Sequence, residues 1–210
     1  MADTSRNYRG EPRHLRVHDR RTRILDAAVE VFGTVGYRSA TVDAVCAAAS
    51  LSKRYFYESF VDREMLLLAC YERCAGEIHD AMVRAASGAD ESIDARLRAA
   101  LVGYFGAIAD DPRRARITLL EILGVGPAID AAYSEQTDVF AASVEALAWT
   151  SFAQSSLSAA TLRLLAAGIV GAVTTIARQW LLTDRAGDQR DLVESSFVLV
   201  SAVLERLPRS

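Results

Sequence analysis

The chain has 210 residues, of which 51% are hydrophobic, and its formal net charge is −3. This length allows a sizeable buried core in one or two domains, and only four prolines interrupt a composition that favours helix throughout. The three cysteines lack the spacing of a disulfide framework and the N-terminus lacks the apolar core of a signal peptide, so we expect a reduced, cytoplasmic protein. Charged residues interrupt the long apolar runs, which argues against a membrane span.

Positive charge is concentrated at the N-terminus. Residues 1–23 contain seven arginines and three acidic residues, a local net charge of +4, whereas the remainder of the chain carries −7. The lack of hydrophobic periodicity before residue 19 predicts a flexible basic arm over residues 1–18. The arm is either a disordered leader or a segment that approaches DNA phosphates, and in the second case the contacts come from Arg6, Arg9, Arg13 and Arg16.

A first helix is predicted over residues 19–32, where apolar residues recur at helical spacing, and Gly33 and Gly36 end it. This apolar stripe is expected to pack against the short helices that follow. It consists of Ile24, Leu25, Ala28, Val31 and Phe32.

Residues 40–66 contain three short helical signatures in succession. Thr41 is a good N-cap for a two-turn helix with one apolar face, the chain breaks at Ser50, and Ser52 is a second N-cap. Asp62 caps the next, much longer helix. The stretch therefore reads as a helix-turn-helix that enters a third helix.

The second helix of this unit is basic and aromatic, which is not typical of a core helix. Phe56 is expected to point inward with Leu51 and Phe60. The outward-facing side chains have donors and flat rings that suit phosphates and base edges. They are Lys53, Arg54, Tyr55 and Tyr57.

These residues resemble the TetR family of one-component transcriptional regulators over roughly residues 21–67. Two departures are visible: Ser50 stands where the family usually has glycine, and Arg54 and Tyr55 stand where it often has small residues. The matching positions are the RILDAAVEVF helix, Gly36-Tyr37, Thr41-Val42, Ser52-Lys53, Tyr57, Phe60 and Arg63-Glu64. The DNA-binding residues that the resemblance and the outward face together predict are Thr41, Val42, Ser52, Lys53, Arg54, Tyr55, Tyr57 and Arg63.

A long helix from Asp62 to about residue 86 is predicted to join the two halves of the molecule. Cys70 and Cys74 lie one turn apart on it with His79 beyond, but zinc prefers four ligands and no fourth is in view. We therefore expect buried structural thiols, with no metal and no cofactor.

The middle helices are predicted over residues 92–109, 111–123 and 127–153. In TetR-like proteins this region holds an inducer cavity, although each aromatic residue taken singly is more often core packing. Glu121 and Arg178 are the candidate polar contacts. The residues predicted for such a pocket are Tyr104, Phe105, Glu121, Tyr133, Phe140, Trp149 and Arg178.

The last two helices, from Ser158 to Leu182 and through residues 193–207, have matched apolar stripes. The stripes either complete the monomer's own core or meet a twofold copy as a four-helix bundle, which is how TetR-like proteins dimerise. Dimerisation is favoured because two half-sites need two reading helices. The predicted interface residues are Leu162, Leu165, Ile169, Val173, Ile176, Trp180, Val193, Phe197, Val200 and Leu204.

We therefore predict an all-α protein of about nine helices, with an arm (1–18), a helix-turn-helix domain (19–66) and a ligand-binding and dimerisation domain (67–210). The predicted function is that of a repressor, released from a palindromic operator by a small apolar or amphipathic effector. The alternatives are a constitutive DNA-binding protein without an effector and a helical adaptor. An enzyme is not expected, since no nucleophile motif, phosphate loop or paired metal ligands are evident.

Overall fold

A computed structural model describes residues 13–183 and 185–209 and the side chains from residue 17 onward. Within this part of the chain the structure is all helical, with one isolated bridge between Ser155 and Arg209 in place of any sheet. The predicted all-α fold is confirmed. The helices are α1 (Arg13–Val35), α2 (Val42–Ala49), α3 (Lys53–Ser59), α4 (Arg63–Ser87), α5 (Ile93–Asp110), α6 (Pro112–Arg116), which continues as a π-helix (Ile117–Glu121), α7 (Pro127–Leu147), α8 (Trp149–Ala153), α9 (Ala159–Leu182) and α10 (Gln189–Glu205).

Several helix boundaries differ from the predictions. Helix α1 spans Arg13–Val35, so residues 13–18 of the proposed arm are helical and Gly33 does not end the helix. The last helix starts at Gln189 and ends at Glu205. Arg6 and Arg9 lie outside the described residues, as do the side chains of Arg13 and Arg16. The helix predicted over residues 127–153 is two helices, because Ala148 leaves the helical conformation between α7 and α8.

Polar side chains cap most of the helix starts that the sequence indicates. Thr41 accepts a hydrogen bond from the Ala44 amide at 3.1 Å, and Asp62 accepts one from the Met65 amide at 2.8 Å. Ser92 caps α5, and Asp111 caps α6 with a proline at the first helical position. Ser52 precedes α3 but its hydroxyl makes no capping bond.

The turn between α2 and α3 forms without glycine. Ser50 adopts the left-handed conformation with φ 52°, a conformation that costs a residue with a Cβ on the order of 1 kcal/mol. The turn is supported by Arg23 of α1, whose guanidinium donates to the Ala49 carbonyl at 2.8 Å. The α1 arginine therefore satisfies an orphan carbonyl at the end of α2.

The core is continuous from the helix-turn-helix into the second half of the molecule. Phe32 and Phe56 are fully buried in one cluster with Leu67, Cys70 and later residues of α4. The same cluster takes in Ile117, Ile122 and Ile129 from the helices beyond α5. Packing therefore does not divide the molecule at residue 66, and α4 belongs to both halves.

The three cysteines are free and buried. Burial raises the pKa of Cys74 to about 12 and also raises the pKa of Cys70, so both remain neutral thiols in the core. Within the described residues no group of three His, Cys, Asp or Glu side chains is arranged to hold a metal ion.

Helix α9 corrects the expectation about apolar runs. By length and composition it could cross a membrane, since Arg163 and Arg178 are its two charged residues, yet only 17% of its most apolar stretch is buried inside the monomer. One such helix is weak evidence for a membrane span. The poor burial instead means that α9 has apolar surface that the monomer does not cover.

Candidate DNA-binding surface and internal cavity

The reading helix α3 is held on the protein by its aromatic residues. Phe56 is fully buried, and its ring lies 6.1 Å from that of Phe60. This confirms the inward direction predicted for Phe56 and Phe60. Lys53, Arg54 and Tyr57 are exposed, which agrees with their predicted outward direction. Tyr55 is half-buried, because the Arg20 guanidinium carbon lies over its ring, 4.4 Å from the ring centroid.

Both cations of α3 already have acidic partners on the surface. Lys53 Nζ lies 2.8 Å from Asp43 Oδ1, and this contact raises the pKa of Lys53. Arg54 Nε donates to Glu58 Oε1 at 3.0 Å. Because exposed ion pairs are weak, either cation can exchange its carboxylate for a DNA phosphate or base at small cost.

The other residues predicted to bind DNA are placed differently. Thr41 and Ser52 are exposed at the starts of α2 and α3, whereas Val42 is half-buried against the core. Arg63 is engaged within the protein, because its guanidinium stacks 4.4 Å above the Tyr37 ring and donates to the Ala40 carbonyl. Arg63 thus holds the turn between α1 and α2, and its DNA contact stays a prediction.

Sequence reasoning missed the role of two further α1 arginines in positioning α3. Arg20 covers Tyr55, and Arg21 donates to the Ser59 carbonyl at 2.8 Å while lying 4.2 Å above the Phe60 ring. In the sequence these arginines contribute only to the positive charge counted over residues 1–23. The signal that could have found the contacts is the cluster of arginines on one turn of α1, since guanidinium groups stack on aromatic rings.

A charged connection joins the helix-turn-helix to the second half of the molecule. Glu121, at the end of the π-helix, accepts from the Tyr37 amide at 2.7 Å and from Arg116 Nε at 2.7 Å. Arg116 also donates to the Thr34 carbonyl at 3.2 Å. Gly36 has φ 85°, and a Cβ there would lie 2.9 Å from Arg116 Nη2, so glycine suits both the turn and the close approach.

Glu121 was predicted as a ligand contact, and the structure places it outside the cavity. The π-helix itself connects the two sites, since Thr118 and Leu119 line the cavity and Glu121 follows on the other side. π-helical turns of this kind are frequent at functional sites.

The cavity lies between α4, α5, the π-helix, α7, α9 and α10 and has a volume of about 100 Å³. Its wall is mainly apolar and includes three of the residues predicted for it. These are Tyr104, Tyr133 and Phe140.

Besides Glu121, three predicted pocket residues lie elsewhere. Phe105 is fully buried in core packing behind the cavity wall, and Arg178 is directed toward Thr175 on its own helix. Trp149 is 70% exposed because α7 ends just before it at Leu147. These three residues do lie on helices, as predicted, but helical spacing in the sequence does not show which neighbouring helix a side chain contacts.

The predicted dimer stripes prove to be largely the monomer's own core. Val200 is 1% exposed, and it lines the cavity together with Ile169, Val173 and Leu204. Trp180 and Val193 are also buried within one chain. The remaining predicted residues are half-buried: Leu162, Leu165, Ile176 and Phe197.

The exposed apolar residues of α9 and α10 lie on other faces of these helices. Leu164 is 74% exposed, and Leu182 and Val198 are also exposed. Gly168 and Gly171 lie between the two α9 leucines and are open as well. These exposed residues of the two helices are together called the outer α9/α10 face below: Leu164, Gly168, Gly171, Leu182 and Val198.

Comparisons with known proteins agree with this architecture. The family model for bacterial regulatory proteins of the tetR family matches residues 24–70. The chain is 30% identical over 190 residues to the HTH-type transcriptional activator FasR of Mycolicibacterium smegmatis, covering 90% of this chain and 85% of FasR. It is 41% identical over 49 residues to the HTH-type transcriptional regulator UidR of Escherichia coli K12, which is 23% of this chain and 25% of UidR.

Solved structures show the same fold. The fatty acid degradation regulator FadR from Bacillus halodurans superposes with a TM-score of 0.74 at 21% identity, over 91% of this chain and 97% of FadR. FadR from Bacillus subtilis in complex with stearoyl-CoA gives 0.72 at 19% identity, over 85% and 96%. The relatives named here regulate transcription and are not enzymes. The protein is a DNA-binding transcriptional regulator and belongs to the TetR family.

Proposed function

We propose that this protein is a ligand-responsive repressor that binds a palindromic operator as a homodimer and is released when an apolar or amphipathic effector enters the cavity. The observation that carries the proposal is the direct connection between the two sites. The π-helix lines the cavity with Thr118 and holds the α1–α2 turn through Glu121. A change of shape at the cavity therefore acts on the DNA-binding unit.

The DNA contacts are assigned to the surface formed by α3 and the start of α2. Arg54 and Lys53 would contact base edges and phosphates after leaving Glu58 and Asp43, and Tyr57 would add a hydroxyl contact to a phosphate. A protein that works on chromosomal DNA in this way is expected in the cytoplasm.

The second copy is assigned to the outer α9/α10 face. Leu164, Leu182 and Val198 leave apolar surface in water, and the open glycines allow another helix to approach closely. A four-helix bundle across a twofold axis would bury this surface and set the distance between the two α3 helices. The buried stripes on the inner sides of α9 and α10 then complete each monomer, so both helices have a role on two faces.

The effector class is inferred from the cavity wall. Residues such as Met82, Leu97 and Phe140 provide apolar surface on several sides of the cavity. The FadR structure with stearoyl-CoA supports this inference, since a protein of the same fold accommodates a ligand with a long apolar chain.

The effector would act through two connections. Helix α4 runs from the helix-turn-helix to the cavity, so a shift of α4 transmitted through Leu66, Cys70 and Met82 would move α3. The Glu121 contact to the Tyr37 amide is the second connection. A ligand changes DNA affinity only if it prefers one of the two arrangements, and a coupling of about 1–3 kcal/mol corresponds to about 5–150-fold.

A second candidate is activation of transcription from the same DNA-bound state. It is favoured by the name of the M. smegmatis relative, which is described as an activator. The two candidates share the operator, the dimer and the cavity, and they differ in the effect of operator occupancy on the promoter.

The test begins with footprinting of the full-length protein on DNA around its own gene, followed by fluorescence anisotropy on the protected site. Adding stearoyl-CoA is expected to lower operator affinity, and operator DNA must lower stearoyl-CoA affinity by the same factor. A protein that binds the operator while neither ligand affects the other would be a constitutive DNA-binding protein. Transcription in vitro with and without the protein separates repression from activation.

A further inference from the structure

Three tyrosines from three different helices share the wall of the cavity. Tyr71 comes from α4, Tyr104 from α5 and Tyr133 from α7. Tyr71 and Tyr104 are almost completely buried in the monomer, and the Tyr104 ring lies edge-on to Phe140 at 6.1 Å. Their hydroxyl groups are therefore concentrated in surroundings that are otherwise mostly apolar.

The phenols of Tyr71 and Tyr104 stay neutral in the folded protein. Burial raises the pKa of Tyr104 to about 12. Burial also raises the pKa of Tyr71, and the nearby phenols of Tyr133 and Tyr104 add to that rise. Because their pKa values are raised, Tyr71 and Tyr104 offer hydrogen-bond donors and acceptors but no charge.

The cavity wall has no charged side chain among the described residues. His79 lies behind the wall: its ring packs edge-on against Phe140, with ring centroids 5.1 Å apart, and its Nε2 shares a hydrogen bond of 2.8 Å with Ser143 Oγ. Two threonines of the wall already donate to backbone carbonyls: Thr118 to Arg114 at 2.9 Å and Thr137 to Tyr133 at 2.9 Å. Gln136 and Thr174 add neutral polar groups to the wall, and Thr174 shares a hydrogen bond with Tyr104. A carboxylate or ammonium group inside this cavity would lose its hydration without gaining an opposite charge.

The cavity volume adds a second condition. A cavity of about 150 Å³ holds a single benzene molecule, and the volume here is about 100 Å³. A longer ligand must displace part of the wall, and Met82 is an adaptable residue at which this can happen. Ligand entry and a change of protein shape are therefore linked.

We propose that the cavity binds an apolar chain that carries an uncharged hydrogen-bonding group, a hydroxyl or a carbonyl oxygen, which is bound by Tyr71, Tyr104 and Tyr133. The proposal rests on the effector role assigned to the cavity above and specifies the chemistry of the ligand. Any charged part of a larger ligand lies outside the cavity.

The test uses three amphiphiles with the same chain and different head groups: decanol, decanoate and decylammonium. Calorimetry on the full-length protein is expected to show decanol binding at least about tenfold more tightly than either charged compound. Tyr104→Phe keeps the ring and removes the hydroxyl, so decanol affinity is expected to fall about five- to tenfold. Thr137→Val is the matched control, because its hydroxyl is already used by the helix, and decanol affinity should not change.

The possible outcomes separate the two levels of the proposal. If decanoate binds as tightly as decanol, the cavity recognises a charged head group and the inference is overturned; loss of that binding in His79→Gln would identify the counter-charge. If decanol binds but Tyr104→Phe and Tyr133→Phe leave its affinity unchanged, the tyrosines do not bind the head group and the inference is also wrong. If none of the three compounds binds or shifts the thermal unfolding temperature, the effector role of the cavity fails and the inference fails with it.

Discussion

The two functional regions of this molecule, the α3 surface and the cavity, differ in their content of charged side chains. On the α3 surface Lys53 and Arg54 are exposed and paired with Asp43 and Glu58. In the cavity no charged side chain reaches the wall among the described residues. Exposed pairs are screened and change partners easily, whereas an apolar interior tolerates a charge only at high cost. DNA binding should therefore respond strongly to salt, and ligand binding should depend on shape and on neutral hydrogen bonds.

The contact that joins these two regions is charged, as on the α3 surface, but it is also partly buried. Glu121 is only 12% exposed at its side chain, yet it is charged and holds both Arg116 and the Tyr37 amide. A partly buried, charge-assisted contact is stronger and more directional than a surface ion pair. That property suits a contact that must transmit a movement from the cavity to the helix-turn-helix.

The largest expected effect comes from placing a charge in the apolar interior. Val200→Glu puts a carboxylate at a position that is 1% exposed and is expected to cost about 4 kcal/mol or more of folding stability.

Val198→Glu, two residues earlier and 59% exposed, should leave the monomer folded but prevent the two outer α9/α10 faces from meeting. Denaturant unfolding and light scattering measure these two results. A Val198→Glu protein that remains dimeric would show that the interface lies elsewhere.

An intermediate effect is expected on the α3 surface. Arg54→Ala should cost about 1–3 kcal/mol of operator affinity and relax the preference at one base position. Tyr57→Phe removes only a hydroxyl and should weaken all sites by the same smaller factor. Anisotropy against operators with single base changes distinguishes the two. Equal weakening on every sequence by Arg54→Ala would reassign Arg54 to a phosphate.

The boundary contact is tested by Glu121→Gln. The loss of the charge opposite Arg116 is expected to lower stability by about 1–2 kcal/mol and to reduce the coupling between operator and stearoyl-CoA. Glu77→Gln is the matched control, since Glu77 pairs with Arg114 at 3.1 Å in a more exposed position. The two affinities are measured with and without the other ligand. Unchanged coupling in Glu121→Gln would leave α4 as the route of transmission.

The smallest effect concerns the surface pair of Lys53. Asp43→Asn removes the carboxylate 2.8 Å from Lys53 Nζ, so operator affinity is expected to rise about two- to fivefold. The dependence of affinity on salt should also become steeper, because the reading surface gains net positive charge. Asp191→Asn on α10 makes the same change of net charge far from α3. If both variants had the same effect, the change would reflect overall charge and not the pair.

The DNA-binding unit could be predicted from the sequence because its signals act over short distances. Thr41 and Asp62 cap helices through amides three residues away, and Phe56 and Phe60 lie on the apolar side of a short helix. Such contacts depend on the local order of residues, so the pattern itself defines them. Arg63 is the exception, since its partners at Tyr37 and Ala40 come from a different helix boundary.

The arrangement of the second half was decided only by the tertiary structure. Helical spacing showed that α9 and α10 have apolar stripes, but α9 is apolar on several sides, so spacing could not tell which side faces Val200 and which faces solvent at Leu164. The same holds for Glu121: Arg116 is five residues away, but the Tyr37 amide lies 84 residues earlier in the chain. Periodicity determines that a face will be buried, and the packing of distant helices determines what covers it.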